Sequence, residues 1–345
     1  MDDTDGPALS PPARGGPGRA ETIRGVLNVL LVTFPFFALV FAGYVAARRR
    51  LLPLEAIPGL NGFVLYFALP CMLFRFGSTT PIAQLLDVRA AALYLLCGLT
   101  VVAFAIVISL SDRIRWNDAS LGALVAAFPN SGFMGVPLIV ALLGPSAAGT
   151  VILTMVVDMV ITSSLCIALS RLDEAEGNGR TAVFDAARKA LKGVLTNPMP
   201  WAIILGGVAS AWSFRLPGPV EKTAWLLADA ASPVALFTIG AVLARAQMTA
   251  NHPMPLGDYL PVALLKLFVH PLLVLLAGLA AVQLGLELSA AALTVMVLTA
   301  ALPSASNVSL LAERFGADNG RIARIILVST AAAFLTFSGA VALLT

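Results

Sequence analysis

Apolar residues in this chain come in long blocks separated by short polar connections. A helix that crosses a membrane needs about 20 consecutive, mostly apolar residues. Blocks of that size predict ten helical spans, at roughly 26–47, 57–76, 88–110, 119–143, 147–170, 199–214, 220–244, 257–284, 288–311 and 319–344. The sixth is short, and Glu221, Lys222 and Asp229 blur the start of the seventh. Two blocks are interrupted near their middles. The fourth contains Pro129, Asn130, Ser131, Gly132, Gly135 and Pro137, and the ninth contains Pro303, Ser304, Ser306 and Asn307. Proline removes a backbone donor and glycine removes side-chain bulk, so both spans are expected to unwind there. Hydrocarbon cannot satisfy the freed backbone groups, so such breaks survive only against protein or a hydrated cavity. A matched pair of breaks in two halves of one chain points to the binding site of a secondary transporter.

The halves do match. Pro70 of span 2 aligns with Pro233 of span 7 at an offset of 163, and Pro129 aligns with Pro303 at 174. Leu143-Gly144 aligns with Phe315-Gly316, and Asp158 falls opposite Thr330, both at 172. Five spans per half is an odd number, so the second half would insert upside down. The predicted fold is an all-α polytopic membrane protein of ten transmembrane helices, two inverted five-helix repeats with broken, crossing helices 4 and 9. The expected boundaries are a disordered tail at 1–24, a first repeat at 25–170, a linker at 171–198 and a second repeat at 199–345. The linker is expected to hold an amphipathic surface helix near Phe184 to Val194. Residues 1–24 are not read as a signal peptide, because the apolar run after them is as long as a full span.

Composition agrees with a membrane protein: 59% of residues are hydrophobic, 12% are charged, and the mean hydropathy is +0.90. Soluble domains carry roughly a quarter charged residues. Lys and Arg are distributed two to one, fourteen in or bordering the connections after odd-numbered spans against seven in or bordering the other connections and the tails, with Lys266 inside a span. The positive-inside rule then places the odd connections in the cytoplasm and both termini outside. Cys71, Cys97 and Cys166 sit in apolar stretches and read as small packing residues. Two histidines, His252 and His270, are too few for a metal site. There is no Walker lysine motif, no HExxH or GxSxG motif, and no basic run interleaved with aromatics. The expectation is therefore no ATP-driven pump, no enzyme, no cofactor and no nucleic acid partner.

Ionisable residues inside spans are costly and are functional candidates by default. Asp158, near the centre of span 5 with Thr154, Thr162 and Ser163 close by, holds a coupling proton or cation, or is a structural acid bonded to a neighbouring helix. Asp229 faces the central cavity or only an outer vestibule. Lys266 of span 8 pairs with an acid, counters an anionic substrate, or snorkels to the interface. His270, before Pro271, reads as a packing polar group, and Arg75 as interfacial.

The stretch from Asn130 to Ile139, the stretch from Ala301 to Ala317 and the ten spans in two fives resemble the auxin efflux carrier family of membrane transport proteins, over about residues 26–345. The resemblance implies a scaffold of spans 1, 2, 6 and 7 that often dimerises. It also implies a transport domain of spans 3–5 and 8–10 that holds the crossover and moves as an elevator. Bacterial relatives are associated with malonate or malate, and plant relatives with the indole carboxylate auxin. The short linker is similar to that of bacterial members, which implies a bacterial inner membrane. Bile-acid–sodium symporters share the general plan, but this chain has no acid cluster for two sodium ions near the breaks. The expected function is thus secondary transport of small organic anions at a midplane site built by Asn130 to Pro137 and Pro303 to Asn307, uncoupled or coupled to H+ or Na+. The alternatives are a cation-coupled carrier of another substrate, such as a bile-acid-like anion, and a membrane sensor that has lost transport.

Overall fold

A computed structural model describes residues 19–80, 87–171, 188, 198–249 and 254–344. The described residues are helical, with no strand beyond one isolated bridge. Seven helical segments are long and apolar enough to cross a membrane, and three shorter apolar helices run through 131–143, 201–211 and 290–301. The amphipathic helix expected near Phe184 to Val194 lies outside the described residues, as do His252 and most of the tail. Residues 19–24 belong to the first helix, whose start at Arg19 precedes the apolar run. Ala20, Glu21 and Arg24 are good helix formers and extend it backwards.

In chain order the helices are α1 (Arg19–Arg48), α2 (Ile57–Phe63), α3 (Leu69–Thr79), α4 (Val88–Ser109), α5 (Trp116–Ala127), α6 (Val136–Leu143), α7 (Ala148–Val157), α8 (Ser163–Leu169), α9 (Pro198–Ala211), α10 (Gly218–Thr249), α11 (Leu260–Leu264), α12 (His270–Gln283), α13 (Ala290–Ala301), α14 (Val308–Arg314) and α15 (Asn319–Leu344). Among the described residues four wide π turns occur, at Val64–Ala68, Ser131–Gly135, Asp158–Thr162 and Leu265–Val269. Three of them end two residues before a proline, at Pro70, Pro137 and Pro271. A proline ring collides with the carbonyl four residues back. Those carbonyls, of Tyr66, Phe133 and Leu267, each lie inside a π turn, and widening the turn relieves the collision. The fourth has no proline, but the Ser163 hydroxyl donates to the Asp158 carbonyl at 2.8 Å.

Two groups of helices can be traced by their packing. α1 runs along α10, and α9 along α3, with α3 also against α10. Glycines permit the closest approaches. A Cβ on Gly240 would lie 1.8 Å from the Val40 carbonyl oxygen, and one on Gly43 would lie 1.8 Å from that of Phe237. A Cβ on Gly206 would lie 2.6 Å from the Phe74 oxygen, and one on Gly77 would lie 3.0 Å from the Ile203 oxygen. In the second group α4 packs on α5 and α12, and α12 on α13. Arg321, 2% exposed, ties this group together at one end. Its Nε donates to the Asp258 carbonyl at 2.6 Å, Nη1 to the Asp118 carbonyl at 2.7 Å, and Nη2 to the Ser109 hydroxyl at 3.0 Å. Gly122 leaves room for it, since a Cβ there would sit 2.4 Å from Arg321 Nη1.

Candidate functional site

The two predicted breaks meet. α5 stops at Ala127, and Phe128 is extended with φ −91° and ψ 104°. α13 stops at Ala301, and Leu302 is extended with φ −60° and ψ 155°. Pro129 and Ser304 form an isolated antiparallel bridge. The Asn130 N–H donates to the Pro303 carbonyl at 2.8 Å, and the Ala305 N–H donates to the Phe128 carbonyl at 3.0 Å. Each break thus supplies backbone partners that the other lost, which answers the demand set by a dry environment. The Ser304 N–H is held by the Ser329 hydroxyl of α15 at 3.2 Å. Beyond the breaks the chain re-enters helix. The Asn130 carbonyl accepts from the N–H groups of Met134 and Gly135, at 3.1 and 2.9 Å. Gly144 and Gly316 then end the segments with φ of +89° and +69°, the left-handed conformation that glycine tolerates best.

Asn130, Ser131, Ser304 and Ser306 are buried, and Asn307 is half-buried. Ser304 Oγ is buried without a partner among the described residues. A cavity of about 20 Å³ lies beside Asn130, Gly132 and Asn307, lined also by Phe128, Phe133, Met155, Met159 and Met199. A second, of about 10 Å³, lies beside Ser306, Asn307 and Ser309, against Asn61, Leu65 and Val242. Phe133 and Asn307 wall both. Such spaces hold about one water each. A carboxylate solute needs Phe133 or the methionines to move before it can enter.

A second polar group lies buried nearby. Asp158 is 1% exposed, and Tyr94, Lys266 and His270 are fully buried. The Tyr94 hydroxyl donates to Asp158 Oδ2 at 3.1 Å, and the Thr162 hydroxyl donates to Oδ1 at 3.2 Å. Lys266 Nζ donates to the Ala300 carbonyl at 2.9 Å, one turn before the second break, and lies 3.2 Å from His270 Nδ1. Asp158 and Lys266 interact electrostatically without a direct ion pair among the described residues. Lys266 is thus buried rather than snorkelling, and His270 is a buried polar group packed beside it.

Asp229 is not brought to this region. Its carboxylate, 68% exposed, pairs with Arg75 at 2.7 Å, and that guanidinium lies over the Trp225 ring. Pro70 and Pro233 sit in α3 and α10; Pro70 helps shape a wide turn, and its neighbour Leu69 lines the cavity beside Asn130 and Gly132. Tyr94, Ser329, Asn61 and Arg321 carry no signal of their own in an apolar pattern. Only Tyr94 could have been found, because it stands 172 residues before Lys266, the offset of the later repeat positions.

Paired breaks inside apolar helices, with polar side chains at the junction, define the class as a membrane transporter. The chain belongs to the membrane transport protein family that includes the auxin efflux carriers. The family model "Membrane transport protein" matches residues 29–341. The chain is 30% identical to the "Putative malonate transporter" of Rhizobium meliloti (strain 1021) over 311 residues, 89% of this chain and 93% of that one. It is 25% identical to the transporter YfdV of Escherichia coli (strain K12), over 81% of this chain and 86% of that one. It is 21% identical to the auxin efflux carrier component 8 of Arabidopsis thaliana, over 64% of this chain and 72% of that one. It is an integral membrane protein.

Proposed function

We propose that the protein is a secondary carrier of small organic anions, mono- or dicarboxylates of malonate size, in a bacterial inner membrane. The observation that carries this reading is the backbone pairing of the two breaks through Asn130–Pro303 and Phe128–Ala305. It gathers Asn130, Ser131, Ser304, Ser306 and Asn307 at one buried place. Side-chain amides, hydroxyls and the N–H groups at restarted helices suit a carboxylate. The likeness to a protein named as a malonate transporter supports the size class.

The motion that exposes this site follows from a ten-span, inverted-repeat reading. The glycine contacts favour it: Gly43 and Gly206 are 163 residues apart, as are Gly77 and Gly240. The contact of span 1 with span 7 is thus repeated as the contact of span 6 with span 2. Spans 1, 2, 6 and 7 form a scaffold, and spans 3–5 and 8–10 a transport body that slides along it as an elevator. The substrate sits at their boundary, where Asn61 and Val242 of the scaffold face Asn307.

A second reading, with a coupled proton or cation, is favoured by the buried Tyr94–Asp158–Lys266–His270 group alone. Uptake into proteoliposomes separates the two. Labelled malonate uptake that falls at least tenfold in both Asn130→Ala and Asn307→Ala, with no need for sodium or a pH gradient, supports the first reading. Full uptake in both variants refutes the crossover site. Strict dependence on sodium or on a pH gradient, lost in Asp158→Asn, moves the assignment to the coupled carrier.

A further inference from the structure

Phe133 lines both small cavities at the paired breaks, the one of about 20 Å³ and the one of about 10 Å³. Asn307 is the other residue common to the two linings. Each cavity also has a wall from the first group of helices. Leu69 of α3 and Met199 of α9 line the larger, and Val242 of α10 lines the smaller. Phe133 follows the first break, in the wide turn Ser131–Gly135, and is 8% exposed. Next to it, a Cβ on Gly132 would lie 3.3 Å from Met155 Sδ and 4.0 Å from Leu69 Cδ2, both in the wall of the larger cavity. Met134, the other bulky residue of the turn, lines neither of the two. Phe133 is thus the bulky side chain of a turn that otherwise leaves space beside Asn130.

We propose that Phe133 determines the specificity of the crossover: its ring sets the upper size of the carboxylate that the site accepts and excludes acids that carry an aromatic ring. The proposal rests on the carrier reading above and names the residue that selects. The two cavities hold about one water each, so even a three-carbon dicarboxylate enters after a side chain has swung. The side chains that can swing differ in kind. Met155, Met159 and Met199 are unbranched, with three rotatable bonds each, and reshape to whatever lies beside them. A phenyl ring turns between staggered rotamers but keeps its shape and its full volume within a close-packed seam. Space made by a methionine therefore stretches, whereas space made by Phe133 is bounded by its own ring. A short aliphatic dicarboxylate fits what the turned ring leaves, beside the amides of Asn130 and Asn307. A second ring does not.

Removing the ring should convert exclusion into acceptance. Phe133→Ala deletes a phenyl group, and phenylacetate brings one back, joined through one CH2 to a carboxylate. The ligand's ring refills the hole while its carboxylate lies against Asn130 and Asn307. A plain apolar void also takes up a benzene-like solute, so dependence on the carboxylate separates a selective site from a void.

The test is thermal unfolding of the purified full-length protein in a neutral detergent, with malonate, phenylacetate and toluene as probes. Phenylacetate is expected to raise the midpoint of Phe133→Ala by about 3 °C or more, and that of the wild type little. Toluene raises the variant's midpoint less. The gain disappears when Asn130→Ala is added to Phe133→Ala. In proteoliposomes the ratio of phenylacetate to malonate uptake rises about tenfold or more in Phe133→Ala. No gain in the variant, equal gains with toluene and phenylacetate, or a gain that survives Asn130→Ala overturns the proposal. So does a wild type that phenylacetate stabilises as much as malonate does. Should Phe133→Ala fail to fold, Phe133→Leu, which keeps apolar bulk but loses the ring, decides by the same criteria. Malonate separates this proposal from the reading beneath it. A wild type that binds malonate, with no gain for phenylacetate in the variants, refutes the role of Phe133 and leaves the carrier standing. A gain for phenylacetate that needs Asn130, without any response to malonate, keeps Phe133 as the selecting residue and removes malonate as the substrate.

Discussion

Lys266 and Asp158 each donate or accept within a buried region, and neither charge has water to retreat to. Breaking a direct buried ion pair costs about 3–5 kcal/mol; Asp158 and Lys266 interact without direct contact among the described residues, so their coupling is smaller. Lys266→Met is therefore expected to destabilise by about 1–3 kcal/mol, through the lost bond to the Ala300 carbonyl as well as the lost charge, and the double variant with Asp158→Asn to recover a part of the loss. Thermal midpoints of the four proteins form the cycle, and strictly additive losses would show that the two charges do not interact. Arg321 makes a sharper residue-level case. Its planar fork reaches three acceptors in different segments, and a lysine ammonium cannot span them. Arg321→Lys should lose about 1–3 kcal/mol, read as a lowered unfolding midpoint, because the half-buried carbonyls of Asp118 and Asp258 lose their donor. Surface pairs differ. The Arg89 guanidinium beside Glu287 holds its carboxyl below the usual carboxylate range. A lowered carboxyl pKa contributes stability above the ordinary glutamate value, and that contribution is lost as pH falls through the lowered one. Both side chains are exposed, so Glu287→Gln should change the midpoint at neutral pH very little.

The helices themselves are set by apolar length, but their contacts are set by where side chains are missing. At Gly240 and Gly43 an added Cβ would meet a backbone oxygen at 1.8 Å, and backbone cannot rotate aside. Gly240→Ala must push α1 and α10 apart, at a cost of about 3 kcal/mol or more. Gly62, in α2, has nothing within 4 Å of an added Cβ. There alanine only improves helix propensity, so Gly62→Ala should stabilise by about 0.5–1 kcal/mol. Unfolding midpoints of the two variants must therefore move in opposite directions. The same logic governs the wide turns. Prolines at 70, 137 and 271 could be read in the sequence, but the resulting π turns could not, because a proline can equally kink a helix or end it.

For the whole molecule, the proposed carrier reading makes a prediction about what drives transport. A carrier without a coupling ion is driven by the membrane potential, worth about 2.3 kcal/mol per charge per 100 mV. With a potassium-diffusion potential in proteoliposomes, a dianion should respond about twice as steeply as a monoanion in the logarithm of its equilibrium ratio. Equal ratios with and without the potential would exclude uncoupled anion transport. The crossover cavity of about 20 Å³ is too small for malonate, so malonate transport as proposed would require the space around Phe133 to open.

Sequence alone determined the helical character, the positions of the apolar segments, the two breaks and the family, because helix length, proline and glycine act locally and survive without a fold. It also marked Asn130, Ser304 and Asn307, since polar residues beside a break stand out against hydrocarbon. Only the tertiary structure decided which charges meet. Asp229 went to Arg75 at the surface, while Asp158 gathered Tyr94 from α4 and came within electrostatic reach of Lys266. Arg321 and Gly122, 199 positions apart, became one packing unit. Such choices depend on helix rotation and on which faces approach. Both are fixed by packing between distant segments, and neither leaves a trace in the local pattern.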